Sequence, residues 1–485
     1  MKPLSNKTNT FTDSVIRRMT RVANHYGAIN LSQGFPDFDP PQAITQRLAE
    51  IAPQGPHQYA LTWGAQNFRE ALAEKQEHFS GMSVDPDQEI VVTCGSTEAM
   101  MAAVLTVCDP GDKVVVFSPF YENYGAINLS QGFPDFDPPQ AITQRLAEIA
   151  PQGPHQYALT WGAQNFREAL AEKQEHFSGM SVDPDQEIVV TCGSTEAMMA
   201  AVLTVCDPGD KVVVFSPFYE NYGADTILSN AEPVYVPLIP PSFRFDANVL
   251  EDAFRQDKVK AMILCNPSNP CGKVFSRAEL QIIADLAIRY DIYVITDEVY
   301  EHIVYAPHRH CYLSTLPGMS ARTIICSSLS KTYSITGWRL GYVIAPPEIT
   351  ERVKQVHDFL TVGAAAPLME AAVVGLHFED QYYLDLQAHY THMKDLFVGG
   401  MKELGLSVTD PEGAYYVLMD ISEYGYDDDE QFCIDLCEKV GVAAVPGSSF
   451  FKEDVHHLIR FHFAKKDETL LAALERLSRI QTMRK

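Results

Sequence analysis

No stretch of this 485-residue chain holds the ~18 successive apolar residues that a membrane-crossing helix needs. The opening "MKPLSNKTNTFTDS" is polar and carries no apolar signal core. Positive charge is also scarce, with 37 Lys and Arg against 63 Asp and Glu and a net charge of −26. A nucleic-acid partner needs a basic face, so this balance argues against one. The acidity reads as a solubility device. Ten cysteines are present, but none stands in a C-x-x-C pair. "CNPSNPC" (Cys265, Cys271) and "CIDLC" (Cys433, Cys437) lack zinc-site spacing. The histidine groups "PHRHC" and "VHHLIRFH" fit loops or a strand better than a metal site. The expectation is a soluble, cytoplasmic protein with free thiols and no metal. No low-complexity linker divides the chain.

What is present in excess is a copy. Residues 27–124 and 125–222 agree letter for letter over 98 residues. Solenoid repeats are shorter and diverge, so this is not an array built for stacking. One copy removed leaves roughly 390 residues, enough for two domains. The organisation expected is an arm (1–26), a spare first copy (27–124), a large domain (125–350) and a small domain (351–485).

After the repeat, apolar runs alternate with helical patterns. "EIVVTC" (Glu187–Cys192), "DKVVVF" (Asp210–Phe215), "KAMILC" (Lys260–Cys265), "IYVIT" (Ile292–Thr296) and "RTIIC" (Arg322–Cys326) lack polar alternation. Such runs predict strands buried on both faces, hence a mostly parallel sheet flanked by helices in an α/β domain. Past Pro346 a long helical stretch runs from "EITERVKQVHDFL" to "EAAVVGL". A helix over Tyr383–Leu404 and the short strands "AYYVLMDIS" and "LIRFHFA" follow. These predict a smaller α+β domain.

Ligands of open α/β sheets bind at the carboxyl ends of the strands. Here those ends read "GSTEA", "SPFYENY", "NPSNPCG", "DEVY" and "SSLSK". "GSTEA" (Gly193–Ala197) opens a helix whose free N–H groups favour a phosphate. On its own it would be an ordinary N-cap. Lys331 follows a buried strand, where desolvation makes a lysine a nucleophile fit for a Schiff base. Ser328 and Arg339 flank it and can bind phosphate. Asp297 ends another strand and can hold a protonated ring nitrogen. The prolines of "NPSNPCG" fix the direction of the Asn side chains. Arg460 sits mid-strand among apolar residues and needs an anion, from a structural or a substrate carboxylate.

These segments together resemble the fold-type-I, pyridoxal-phosphate-dependent aminotransferases of class I/II. The branch of kynurenine aminotransferase (glutamine transaminase K) and methionine aminotransferase is the most similar. "NLSQGFPDF", "QYALTWG", "GSTEA", "PFYENY", "NPSNPCGKVFS", "TDEVYEHIVY", "SLSKTYSITGWRLGY" and "LIRFHFAKKDETL" carry the resemblance, in the family's order. It implies pyridoxal 5'-phosphate as cofactor, Lys331 as the Schiff-base lysine and Asp297 as partner of the pyridine nitrogen. Tyr300 and Asn269 would bond the phenolic oxygen, and Tyr219 would stack on the ring. Ser194, Thr195, Ser328 and Arg339 would hold the phosphate, and Arg460, with Asn269, the substrate carboxylate. A homodimer is implied, because a "QY" tyrosine reaches the neighbouring subunit's phosphate. Here that is Tyr157 or Tyr59, with Tyr157 expected. Gly132 (or its twin Gly34) would lie by the substrate.

The implied reaction exchanges amino and oxo groups between a large neutral L-amino acid and a 2-oxo acid. β-Elimination on the same cofactor is one alternative. A non-catalytic member of the fold, or an enzyme disabled by the duplication, is another. Asn269, Asp297, Lys331 and Arg460 occur once, so the chain holds one site, not two. The shorter loop to the next strand favours the second copy by about 0.7 kcal/mol. The spare copy is expected to be loosely packed, aggregation-prone or swapped between chains.

Overall fold

The computed structural model describes residues 1–6, 40–108 and 136–484. Seven strands form the large sheet: β1 (Ile188–Cys192), β2 (Lys211–Ser216), β3 (Glu232–Pro237), β4 (Val259–Cys265), β5 (Tyr293–Asp297), β6 (Thr323–Ser328) and β7 (Leu340–Ile344). Their order is β1-β7-β6-β5-β4-β2-β3. β7 pairs antiparallel with β1 and β6, and the other pairings are parallel. All seven residues of β4 are buried, because helices cover both faces of the sheet. Alternate residues point to opposite sides. Met262 and Leu264 pack with Leu280 and Ile283 of the helix Arg277–Arg289. Ala261 and Ile263 pack with Ala197 and Ala201 of the helix Ser194–Val205.

The second sheet is antiparallel, in the order β8-β10-β9, from β8 (Tyr416–Asp420), β9 (Val445–Pro446) and β10 (Leu458–His462). The helices Asp380–Glu403 and Asp467–Leu477 contribute Met393, Phe397, Leu470 and Leu477 to its core. Between the sheets, the expected continuous helix is two, Pro347–Leu360 and Ala366–Leu376, broken where Val362 takes a φ of 74°. Val353, Val356 and Met369 still pack in cores of the large sheet. Among the described residues no helix is long and apolar enough to cross a membrane.

The two copies share local structure and differ in long-range structure. Among the described residues, three equivalent helices form in each: Gln42–Ile51, Gln66–Ser80 and Gly95–Val107 in the first, Gln140–Ile149, Gln164–Ser178 and Ser194–Val205 in the second. Each keeps the buried arginine that bonds within its own copy, Arg69 Nε to the Gly64 carbonyl and Arg167 Nε to the Gly162 carbonyl. Yet "IVVTC" is β1 in the second copy, paired with β7, and forms no strand at Ile90–Cys94. Helical hydrogen bonds close within a segment, whereas a strand needs a neighbour, and β7 exists once.

Burial follows the same division. Phe166 and Val205 are 0 % exposed, and their twins Phe68 and Val107 are 51 % and 76 % exposed. Limited proteolysis is therefore expected to cut within residues 60–108 before it cuts within 158–206, because opening there disrupts fewer buried contacts. Equal resistance of the two segments would contradict the unequal packing.

Candidate active site

The carboxyl ends of β1, β4, β5 and β6 converge on one cleft, where Ser194, Thr195, Tyr219, Asn269, Asp297, Tyr300 and Lys331 meet. At one end β1 runs into Gly193, whose φ of 84° suits glycine. A Cβ there would overlap the Arg339 guanidinium, so the missing side chain lets the arginine lie across the start of the helix Ser194–Val205. Arg339 itself is left-handed, with φ 53°, as the chain turns from Thr336–Trp338 into β7. Its Nη1 donates to the Thr336 carbonyl and to the Tyr59 hydroxyl, both at 3.1 Å. Free helix N–H groups beside a guanidinium make an anion site. Glu196 in the first turn is already committed to structure. It accepts from the Cys192 amide at 2.6 Å and from Thr361 Oγ1 at 2.7 Å, and bonds His357 Nδ1 at 2.7 Å.

In the middle of the cleft, Asp297 ends β5. Its Oδ2 accepts from the Tyr222 hydroxyl at 2.7 Å and its Oδ1 from the Val299 amide at 3.3 Å. Burial pushes its pKa up to about 6, against the pull of those two hydrogen bonds. Lys331 lies three residues beyond β6 and is 7 % exposed. Its Nζ stands 5.4 Å from the centre of the Tyr59 ring and 6.0 Å from that of Tyr415. Ser328, the last residue of β6, is buried, and its Oγ accepts from the Ser330 amide at 3.4 Å. The Tyr300 and Tyr416 hydroxyls share a hydrogen bond of 2.8 Å, and burial raises the Tyr300 pKa well above its ordinary value.

At the far end, β10 carries Arg460 between two rings, its guanidinium 4.4 Å from the centre of Tyr416 and 4.3 Å from that of Phe450. Its Nη1 donates to Asn269 Oδ1 at 2.6 Å, and its buried Nε has no partner. The sequence left open whether a structural carboxylate pairs this arginine. The hydrogen-bond partner found is a neutral amide, so the positive charge still calls for an anion.

One expected residue is not in the cleft. Tyr157 stands 64 % exposed at the surface, and Tyr59 lies against Arg339 and Lys331 instead. The identical letters of the two copies gave no means to choose between them. Gly132 falls outside the described residues. Two further tyrosines carry the geometry. Tyr222 was visible only as the last letter of "PFYENY", and Tyr416 only as part of a strand pattern.

The residues from 26 to 127 and from 125 to 477 each match the family model "Aminotransferase class I and II". Methionine aminotransferase of Escherichia coli (strain K12) is 39 % identical over 360 residues, covering 74 % of this chain and 93 % of that protein. Kynurenine–oxoglutarate transaminase 3 of Mus musculus is 33 % identical over 392 residues, covering 74 % of this chain and 86 % of its own length. Among solved structures, the N-succinyldiaminopimelate aminotransferase of Mycobacterium tuberculosis superposes with a TM-score of 0.70 at 38 % identity, over 72 % of this chain and 92 % of that one. These relatives are nearly complete in the match while this chain is not, as one unmatched copy requires. With the strand-end cleft and the family match in agreement, the chain belongs to the class I and II aminotransferases, whose cofactor is pyridoxal 5'-phosphate.

Proposed function

We propose that the chain moves the amino group of a large neutral L-amino acid to a 2-oxo acid, with Lys331, Asp297 and Arg460 in the principal roles. The observation that carries this reading is Arg460, a half-buried guanidinium with an unpartnered Nε at the edge of a cleft that also holds Lys331 and Asp297. The residues present fit the cofactor. Ser194, Thr195, Ser328, Arg339 and Tyr59 would hold its phosphate at the helix start, and Tyr219 would cover the ring. Tyr300 and Asn269 would bond its phenolic oxygen, and Asp297 would meet its ring nitrogen. Bound there, pyridoxal 5'-phosphate supplies an electron sink for the pair left on Cα when its proton departs.

The chain's own groups do the rest. Arg460 can offer Nη and Nε to the two oxygens of the α-carboxylate, which orients the Cα–H bond. The Lys331 amine takes the Cα proton and returns it at C4′. Asp297, as a carboxylate, holds the proton on the ring nitrogen. A second 2-oxo acid reverses these proton movements and leaves as an amino acid.

The side-chain class rests on charge. Apart from Arg339 and Arg460 at its two ends, Lys331 is the one cation among the described residues lining the cleft, and Tyr59, Tyr219, Tyr300 and Tyr416 supply rings. An acidic side chain would need a further cation, whereas a thioether, an amide or an aromatic ring does not. The names of the two relatives above, with methionine and kynurenine in them, agree with this. In an amino-donor panel, methionine, glutamine, phenylalanine and kynurenine are expected to outpace aspartate and glutamate. Arg460→Leu is expected to lower kcat/KM for every donor by about 10²-fold, the worth of two charge-assisted hydrogen bonds. Aspartate as the best donor, or an Arg460→Leu enzyme of normal kcat/KM, would overturn the assignment.

A further inference from the structure

The same tripeptide, His-Gln-Tyr, occupies two unlike places. In the second copy (155–157) it ends with Tyr157 at the surface. In the first copy (57–59) it is bound along the turn that precedes Arg339. The Gly337 amide donates to the His57 carbonyl at 2.8 Å, and Trp338 Nε1 to His57 Nδ1 at 3.2 Å. Gln58 Nε2 donates to the Ser334 carbonyl at 2.7 Å, and the Tyr59 amide to Thr336 Oγ1 at 3.1 Å. Thr336 Oγ1 in turn donates to Gln58 Oε1 at 2.7 Å. Gly337 takes part through its lack of a side chain, since a Cβ there would press on the His57 and Gln58 carbonyls. Tyr59 is thus locked by a row of hydrogen bonds with its hydroxyl on Arg339.

The copies also meet through equivalent parts. The helix Gln42–Ile51 packs on its twin Gln140–Ile149. Cys94 and its twin Cys192 line one and the same cavity between the copies. Contact of each part with its own equivalent is the mark of a two-fold, isologous interface between identical subunits. Here both sides of that interface belong to one polypeptide. Deleting 27–124 or 125–222 yields the same shorter sequence, in which His-Gln-Tyr occurs once.

We propose that the first copy acts as an internal partner: it occupies, within one chain, the surface a second chain would cover, and it supplies Tyr59 to the phosphate end of the site, so that one chain completes one site. This rests on the cofactor placement argued above. The first copy is then not spare, although Ile90–Cys94, its twin of β1, forms no strand. In the shorter chain the surface beside Arg339 would need a second molecule, and cofactor affinity would fall on dilution. In the full chain it would not.

The test is a titration of pyridoxal 5'-phosphate into the cofactor-free full chain, followed by absorbance, in the unmodified protein, Tyr59→Phe and Tyr157→Phe. Tyr59→Phe is expected to weaken binding about 10-fold, the loss of one hydrogen bond to a charged group. Tyr157→Phe is expected to leave binding within about twofold of the unmodified protein. Sensitivity at Tyr157, alone or equal to that at Tyr59, would mean that the tyrosine comes from the second copy or from another chain, and overturns the inference alone. A full chain that binds no cofactor overturns the functional reading and the inference together. Diamide oxidation provides a second readout: it takes two thiol hydrogens and leaves a disulfide. An intrachain Cys94–Cys192 bridge, migrating as a monomer on a non-reducing gel, is expected. A Cys94–Cys192 bridge between chains would refute the one-chain arrangement.

Discussion

Replacing Lys331 with alanine is expected to slow transamination by more than about 10³-fold, near the upper range for removal of a general acid–base group. The cleft has few other candidates for carrying a proton to and from Cα. Tyr300 is tied to Tyr416 at 2.8 Å, and burial holds its hydroxyl far above the range in which it would act as a base. Asp297 is held by Tyr222 and Val299. Lys331 alone combines a buried amine with a position at the end of β6 facing the cleft. The loss should fall on kcat. Binding of the cofactor through its phosphate should persist, since Arg339 and the helix start are untouched. Half-reaction kinetics with a single donor, followed by absorbance, checks this. Borohydride should also cease to fix the cofactor to the Lys331 peptide. An alanine enzyme retaining more than a tenth of the rate would assign the proton transfer elsewhere.

The second large effect has two opposite signs. Asp297→Asn should lower kcat by about 10³-fold, the scale seen when a single charge-stabilising group is removed from an active site. It should also make the cofactor-free protein more stable above neutral pH. Burial raises the Asp297 pKa from 3.8 to about 6. The folded protein therefore holds this proton more tightly than the unfolded chain does. The stability that goes with it is complete below pH 3.8 and is lost as pH rises through about 6. Above that, the buried carboxylate costs on the order of 2–3 kcal/mol, which a neutral amide of the same shape avoids. The amide oxygen can still accept from Tyr222. Thermal unfolding of the cofactor-free proteins at pH 8 and pH 4 is the check. The variant should melt higher at pH 8 and show no such advantage at pH 4. No difference at pH 8 would mean that Asp297 is not a strained group awaiting a cation.

Much of this was legible in the sequence because burial on both sides leaves a plain record. β2, β4, β5 and β6 read as unbroken apolar runs, and of the reactive residues Asp297 ends β5 and Lys331 lies three positions beyond β6. β3 was overlooked because "EPVYVP" carries two prolines and is only partly buried, as suits an edge strand. β7 was overlooked because it follows Arg339 without a break and reads as the tail of a motif. The interruption of the long helix after Leu360 leaves no proline or glycine at Val362 itself. The bond from Tyr222 to Asp297 joins residues 75 positions apart, and that from Tyr300 to Tyr416 joins residues 116 apart. No local pattern encodes such pairs. The choice between Tyr59 and Tyr157 was beyond any reading of letters, since the letters are the same.

That identity has a further meaning. "IVVTC" occurs twice in one molecule, once as a strand beside β7 and once as none. Side-chain preference, solvent, temperature and chain length are equal for both. Every intrinsic term cancels in the comparison, and what remains is the contribution of neighbours. The protein is its own matched control for how far a β-strand is a property of its residues and how far of its address.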